Sequence, residues 1–431
     1  MEYTSGMDIR YRIRGGVPLQ GEVIISGSKN ATLPMLAATL LADGETVVEN
    51  VPRLSDTIVM LKMLEHLGAE TSFEGSTVRV STRNLKYQPI PLEYTSKLRA
   101  SIVLLGPMLA RFGVAEMAYP GGDVISKKRG AEAHTVAFEQ MGVADMSTRD
   151  TLHLQGKPVA GHVILPEFSV TATENAVMAA ALTEGETRID LAAIEPHVQA
   201  VCKMVKAMGA EVEGIGTHTI IVRGKPKLSA VSVRVPFDYL EAGTFAVATL
   251  VTKGKVRLHD IEREDLLLFL EVLRKAGAIW TYDAGAKTLF IDGELSMLNA
   301  LQVRTNIHPG FHTDLQAPVG VLMTQAKGVS RMFERLYDGR LGYLFELEKM
   351  GAHIEILNAH QALIIGPTPL KGHVVSSNDI RAGAAMVVAG LCAEGETIIT
   401  DVRYIERGYD RFDEKLRALG ARMERITSSP A

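Results

Sequence analysis

The sequence predicts an α/β protein built from six repeated units, arranged as two domains of three. Three observations predict it. A glycine step closes an amphipathic run at Leu67-Gly68-Ala69, Met141-Gly142-Val143, Met208-Gly209-Ala210, Ala276-Gly277-Ala278, Met350-Gly351-Ala352 and Leu419-Gly420-Ala421. A second glycine opens a strand-like run at Gly44, Gly113, Gly185, Gly254, Gly328 and Gly395. Both series advance by roughly 70 residues, too long for a solenoid repeat and suited to a small α/β unit that closes on itself. Each unit also carries one helix-like run rich in small apolar residues and a second, more polar one.

The first unit shows the order of elements. Leu33 to Ala42 is apolar nearly all round and is predicted as a buried helix. It starts from Ser26-Gly27-Ser28-Lys29-Asn30, a loop whose free N–H groups suit an anion. Gly44 stops it, and Glu45 to Val51 follows as a strand. Thr57 to Leu67 repeats at helical period through Ile58, Leu61, Leu64 and Leu67, with Gly68 as the left-handed residue past its end. Thr71 to Val80 reads as a hairpin turning at Glu74-Gly75-Ser76. The matching buried helices of the later units are predicted at Leu98–Ala110, Ala172–Thr183, Glu241–Thr252, Asp314–Ala326 and Asp379–Ala393, with the polar helices outside. Gly214-Ile215-Gly216 falls at a hairpin turn and carries no nucleotide motif.

Composition narrows the function. With 431 residues and 46% hydrophobic content, the chain can fill two cores. A net charge of −4 leaves no footprint for nucleic acid or an anionic membrane. Residues 1–16 lack the apolar core of a signal peptide, and no apolar run reaches the roughly 18–20 residues of a membrane span. A cytoplasmic protein is therefore expected. Cys202 and Cys392 are the only cysteines, both in apolar helix-like runs, and read as buried reduced thiols. No HExxH, CxxC or Cys/His cluster calls for a metal.

Charge meets the repeats at the starts of the buried helices, where burial penalises it unless it is paired. Lys29, Lys97, Arg99, Glu174, Asp238, Glu241, Asp314, Asp379 and Arg381 stand there. Asp238, Asp314 and Asp379 suit helix caps. Lys29, Arg99 and Arg381 do not, because a cation opposes the dipole of a helix N-terminus, and a bound anion is the simplest compensation. Loops at Pro120-Gly121-Gly122-Asp123, Ile194-Glu195-Pro196-His197, Tyr337-Asp338-Gly339-Arg340 and Ile405-Glu406-Arg407-Gly408-Tyr409 add further charge. Together these residues predict a pocket for phosphate and carboxylate. They do not name a reaction.

At these residues the chain resembles the enolpyruvyl transferases, in the branch acting on UDP-N-acetylglucosamine. The resemblance runs from about Tyr11 to Arg425. Its motifs are Leu19-Gln20-Gly21-Glu22-Val23, Ser26-Gly27-Ser28-Lys29-Asn30-Ala31, Leu98-Arg99-Ala100-Ser101, Thr313-Asp314-Leu315-Gln316, Asp379-Ile380-Arg381-Ala382 and Glu406-Arg407-Gly408-Tyr409. It implies an inside-out α/β barrel of two domains, with six βαβαββ-type repeats, three per domain. Residues 29–235 would form one domain and residues 1–28 with 236–431 the other, with the active site in the cleft between them closing on the sugar nucleotide.

The implied reaction transfers enolpyruvyl from phosphoenolpyruvate to the 3′-hydroxyl of UDP-N-acetylglucosamine, the first committed step of peptidoglycan precursor synthesis. No cofactor, metal or protein partner is implied. The resemblance gives Asp123, Lys29, Asp314, Asp379 and Arg407 catalytic roles. It sets Lys29, Arg99, Arg129, Arg381 and Arg407 on phosphoenolpyruvate. Asn30, Arg99, Ser169, Val170, Thr171, Asp314 and Arg340 would line the sugar nucleotide.

Departures from the family pattern matter too. Asp123 replaces the usual cysteine after Pro-Gly-Gly, on the loop that covers the cleft. A carboxyl can still carry a proton there but is a far poorer epoxide nucleophile than a thiolate, which implies resistance to fosfomycin. The usual Gly-x-Arg-Pro is absent downstream, and both Lys128 and Arg129 are candidates for its arginine. Tyr239 stands where arginine is frequent, and Thr171 where glycine is usual. Four rivals follow: the sister enzyme acting on shikimate 3-phosphate, a paralogue using another UDP-sugar, an RNA 3′-phosphate cyclase-like protein, and a polyanion-binding scaffold. The cyclase needs a nucleophilic histidine that neither His308 nor His312 matches by motif.

Overall fold

Six times the chain lays a small apolar helix against a sheet, four-stranded in five repeats and three-stranded in the second among the described residues, and the periodic glycines explain the spacing. In a computed structural model, described for residues 8–121 and 131–428, the chain divides into two compact units, Met1–Ile25 with Phe237–Ala431 and Ser26–Pro236. Each has its own hydrophobic core. Residues such as Leu36, Leu105, Val177 and Val201 centre one, and Phe245, Val321, Val387 and Phe412 the other.

The inner helices are Lys29–Ala38, Leu105–Phe112, Val170–Ala181, Tyr239–Val251, Gln316–Gln325 and Ile380–Cys392. Tight turns at Arg99–Leu104 and Thr313–Leu315 lead into two of them. The first helix begins at Lys29 rather than Leu33. Ser28 caps it, and Pro34 lies inside it at the sixth position, where it forgoes one intrahelical hydrogen bond. Every residue of Tyr239–Val251 is buried, so this helix has no polar face to show. The outer helices, Pro196–Ala207 and Leu267–Lys275 among them, are amphipathic and bury one stripe.

Each unit's sheets follow one rule. A strand after the inner helix pairs in parallel with a lead strand and antiparallel with the second strand of the hairpin that follows the outer helix. Glu45–Glu49 pairs in parallel with Ser232–Arg234 and antiparallel with Thr77–Ser81, which pairs with Glu70–Glu74. Lys255–His259 does the same with Gln20–Ile24, Thr288–Asp292 and Ile279–Asp283. Gly328–Phe333 and Gly185–Asp190 repeat the scheme. Two lead strands are exchanged in sequence: Gln20–Ile24 comes before the first inner helix yet serves the fourth, and Ser232–Arg234 serves the first. In the last repeat Glu396–Thr400 pairs antiparallel with Asp8–Arg14, which also pairs with Arg422–Ser428.

The helix-closing glycines all carry positive φ, from 75° at Gly142 to 118° at Gly209, a region glycine enters without strain. The strand-opening series breaks once. At the fourth repeat Lys253 takes the left-handed turn with φ 54°, and Gly254 is needed for space, since a Cβ there would lie 2.2 Å from the carbonyl oxygen of Leu19. Among the described residues, no helix is long and apolar enough to cross a membrane.

Candidate active site

The buried-helix starts do collect charge, and the structure shows what pairs with it. In the unit holding Asp314, His312 caps the Thr313–Leu315 turn through Nδ1, 3.1 Å from the Asp314 N–H, so Asp314 itself is no cap. Its carboxylate is gripped instead by two arginines. Arg340 Nη2 lies 2.6 Å from Oδ1 and Arg381 Nε lies 3.2 Å from Oδ2. Burial alone would raise the Asp314 carboxyl, but the two guanidinium charges outweigh it and hold it well below the ordinary carboxylate range. Asp314 is therefore ionised.

Arg381 is 5% exposed at the first turn of its helix, under the cap formed by Asp379, whose Oδ1 accepts from the N–H groups of Arg381 and Ala382 at 2.8 and 2.9 Å. Its guanidinium carbon sits 5.1 Å from the Tyr409 ring centre. Burial opposes its charge, yet Tyr409, Asp314 and Asp238 more than compensate and raise its pKa. Its Nη1 is buried and makes no hydrogen bond among the described residues. A guanidinium with a spare, desolvated N–H is equipped to take an anion. Asp379 is raised, chiefly by burial, against the pull of its backbone bonds and Arg340. Asp238 caps its helix, accepting from Leu240 and Glu241. Arg407 is half-buried at the end of the Arg403–Glu406 helix. Tyr239 packs edge-on against His312, ring centres 5.5 Å apart. Burial lowers His312 to about 4, against the opposing charge of Asp314, and it is neutral.

In the other unit Lys29 is the first residue of its helix and is 8% exposed. Its Nζ lies 2.7 Å from Oδ2 of Asp56, which is 2% exposed. A protein carboxylate, rather than a bound anion alone, thus offsets the cation against the helix dipole. Asn30 and Arg99 are half-buried. Ser169 caps the Val170–Ala181 helix, accepting from Ala172 at 3.4 Å, so Ser169, Val170 and Thr171 form its first turn. Behind them sits His134. Asn175 Oδ1 accepts from the Gly106 N–H at 2.7 Å, so its Nδ2 is what faces His134 Nδ1 at 2.8 Å. That fixes the tautomer: Nδ1 accepts, and Nε2–H donates to the Thr171 hydroxyl at 3.1 Å. Burial, helped by Arg99, lowers His134 to about 3 and keeps it neutral.

The structure thus brings Asp314, Asp379, Arg340 and Arg381 together in one unit, and sets Lys29 with Asp56 and Thr171 with His134 in the other. Asp123, Lys128 and Arg129 lie outside the described residues. Sequence reasoning missed Asp56, Glu334 and His134 as partners. Asp56 could have been found from its register, since it shares the buried face of Ser55–His66 with Met60 and Met63. Glu334 follows Ser330 and Met332 on the buried side of a strand, where a charge has no bland explanation.

The fold is that of the enolpyruvyl transferases. The enolpyruvyl transferase NikO from Streptomyces tendae superposes with a TM-score of 0.88 at 22% identity, covering 98% of this chain and 100% of that one. EPSP synthase from Acinetobacter baumannii superposes at 0.74 with 19% identity, covering 97% and 100%. A sequence model of the EPSP synthase (3-phosphoshikimate 1-carboxyvinyltransferase) family matches residues 13–416. At finer grain, a UDP-N-acetylglucosamine 1-carboxyvinyltransferase of Chlorobium phaeovibrioides is 41% identical, over 96% of this chain and 97% of its own. Proteins of the same name from Treponema denticola and Borreliella burgdorferi are 37% and 36% identical, over 96% and 97% of this chain and 98% and 99% of theirs. The chain belongs to this family, in its UDP-N-acetylglucosamine 1-carboxyvinyltransferase branch.

Proposed function

We propose that the chain transfers the enolpyruvyl group of phosphoenolpyruvate to the 3′-hydroxyl of UDP-N-acetylglucosamine with release of phosphate, in the cytoplasm, as the first committed step of peptidoglycan precursor synthesis. The observation that carries the reading is the 36–41% identity, over nearly the whole chain, to relatives bearing that name. The likeness to the solved EPSP synthases, at 19–20% identity, is at the level of fold.

The chemistry asks for a proton at the methylene carbon, a hydroxyl attack at C2, and loss of a proton and phosphate from the resulting ketal. Lys29, Arg99, Arg381 and Arg407 are assigned to the phosphate and carboxylate of phosphoenolpyruvate, with Lys29 also moving a proton. Asn30, Ser169, Val170, Thr171 and Arg340 are assigned to the sugar nucleotide. Asp314 is assigned to the sugar hydroxyl. Clamped by two arginines it is a weak base, able to accept a hydrogen bond but poorly able to accept a proton. An anion that draws the spare N–H of Arg381 toward itself weakens that one contact and makes Asp314 more basic, while Arg340 still holds the carboxylate in place. Binding of phosphoenolpyruvate would then switch on the base that its partner needs. Asp379 holds the helix start that carries Arg381. Asp123 is assigned proton transfer and Arg129 or Lys128 a phosphate contact, on sequence grounds.

Phosphate release from phosphoenolpyruvate, with UDP-N-acetylglucosamine or shikimate 3-phosphate as acceptor, tests the reading. Release with the sugar nucleotide alone, and a product heavier by one enolpyruvyl group, is expected. Release only with shikimate 3-phosphate, or with neither, overturns it. Fosfomycin should leave turnover unchanged and add no mass to the protein, because burial pushes both thiols, Cys202 and Cys392, up to about 12. A stoichiometric adduct with complete loss of activity would contradict the role given to Asp123.

A further inference from the structure

We infer that Glu334 is a positioning residue for this reaction, fixing Arg340 against Asp314 through the Thr313 hydroxyl. The inference rests on the reading above for its kinetic consequences and on geometry alone for its structural ones. Glu334 is 0% exposed and follows the Gly328–Phe333 strand directly. In four other repeats the residue at this place takes a left-handed turn: Asn50, Leu191, Asp260 and Asp401 have φ between 56° and 66°. Glu334 breaks that pattern and turns its carboxylate inward.

Every bond to that carboxylate serves one small region. Oε1 accepts from the Thr305 hydroxyl at 2.9 Å and from the N–H groups of Leu336 and Tyr337 at 2.8 and 3.2 Å, which folds the segment leading to Arg340 around it. Oε2 accepts from the Thr313 hydroxyl at 2.6 Å. The Thr313 proton is thereby committed to Glu334, so its oxygen can only accept from the other side. What it accepts is Arg340 Nη1, at 2.8 Å, while Nη2 of the same guanidinium holds Asp314 at 2.6 Å. The planar fork of arginine cannot satisfy both contacts in another orientation. Charge alternates along the chain of contacts, from Glu334 through Thr313 to Arg340, Asp314 and Arg381. A buried carboxylate is costly, and this one is satisfied entirely by groups that fix the arginine and its segment.

Glu334→Gln puts an N–H₂ donor where Oε2 was, reverses the Thr313 hydroxyl and frees Arg340. Thr313→Val removes the relay with little change of shape, and Thr313→Ser restores it. With the parent enzyme turning over UDP-N-acetylglucosamine, Glu334→Gln and Thr313→Val should each lower kcat at least tenfold. Each should raise KM for the sugar nucleotide about tenfold while KM for phosphoenolpyruvate stays within twofold. Thr313→Ser should return within threefold of the parent. The double variant should be no worse than the poorer single, since both break one relay. A crystal structure of Thr313→Val should show Arg340 turned from Asp314, a readout that needs no activity. If Glu334→Gln does not fold, Thr313→Val decides alone. The inference is overturned if Thr313→Val keeps the Arg340–Asp314 contact, if a folded variant matches the parent in kcat and both KM values, or if Thr313→Ser is as poor as Thr313→Val. An inactive parent would instead overturn the assigned reaction and leave the crystallographic test standing.

Discussion

Arg407 and Lys29 are both cations given to phosphoenolpyruvate, yet their loss should look different. Lys29 is packed against Asp56, with side-chain exposures of 10% and 3%. Lys29→Met leaves a buried carboxylate without its cation and should cost about 3 kcal/mol of stability along with activity. Arg407 is half-buried at a helix end rather than packed in a core, and Arg407→Ala should cut turnover by about 10²-fold or more while moving Tm by less than about 2 °C. Thermal melts beside steady-state rates check both, and equal Tm losses would refute the distinction. Glu174 makes a separate case. It is 1% exposed, its Oε1 has no hydrogen-bond partner among the described residues, and burial, then Glu195, raises its pKa well above the ordinary value. The folded state holds this proton more tightly than the unfolded state. Its stabilising effect is complete below about pH 4.3 and is lost as pH rises toward the folded value. Glu174→Gln should therefore melt like the parent at pH 4 and at least about 2 °C higher at pH 8, and an equal or lower melt at pH 8 would sink the argument. At this scale the sequence showed where charge collects but not with what. Asp314, Arg340 and Arg381 are 26 and 67 residues apart in their pairings, and only folding brings them together. Thr171 was legible as a departure, whereas His134 behind it was invisible because its role depends on an asparagine 41 residues away.

At the level of elements the repeat was almost fully legible. Glycine is forced at helix ends by backbone conformation, so its spacing survives when side chains diverge. Five of the six inner helices lie within a few residues of their predicted places, and the second begins only at Leu105, after the tight turns at Arg99–Leu104; the shift at Lys29 comes from a serine cap that periodicity does not register. What periodicity could not show was which strand pairs with which, since a lead strand looks the same wherever its partner lies. Lys253 and Gly254 illustrate the limit, because either can supply the strand-opening punctuation. Gly254→Ala should lose about 2–3 kcal/mol, as its Cβ would meet backbone of Leu19 that cannot yield. Lys253→Gly should change stability by less than about 0.5 kcal/mol, since relief of a left-handed side chain offsets the added backbone freedom. Urea denaturation of the two variants decides it, and a tolerated Gly254→Ala would show that the fourth repeat is punctuated like the others.

For the whole molecule, the two units differ in how the chain supplies them. Ser26–Pro236 is one uninterrupted stretch that contains its own core and its own exchanged lead strand, Ser232–Arg234. It should fold when produced alone, with a cooperative thermal transition and dispersed amide resonances; a collapsed, non-cooperative product would show that it depends on the rest. The other unit is assembled from two distant stretches, and its Asp8–Arg14 strand sits between Glu396–Thr400 and Arg422–Ser428. During synthesis that arrangement sets a timetable. The contiguous unit can be finished before the stretch from Phe237 onward is made. Asp8–Arg14 emerges long before its partners and must wait as an unpaired strand until Glu396–Thr400 and Arg422–Ser428 arrive. A ribosome that stalls late would thus release one finished unit tethered to one that cannot close.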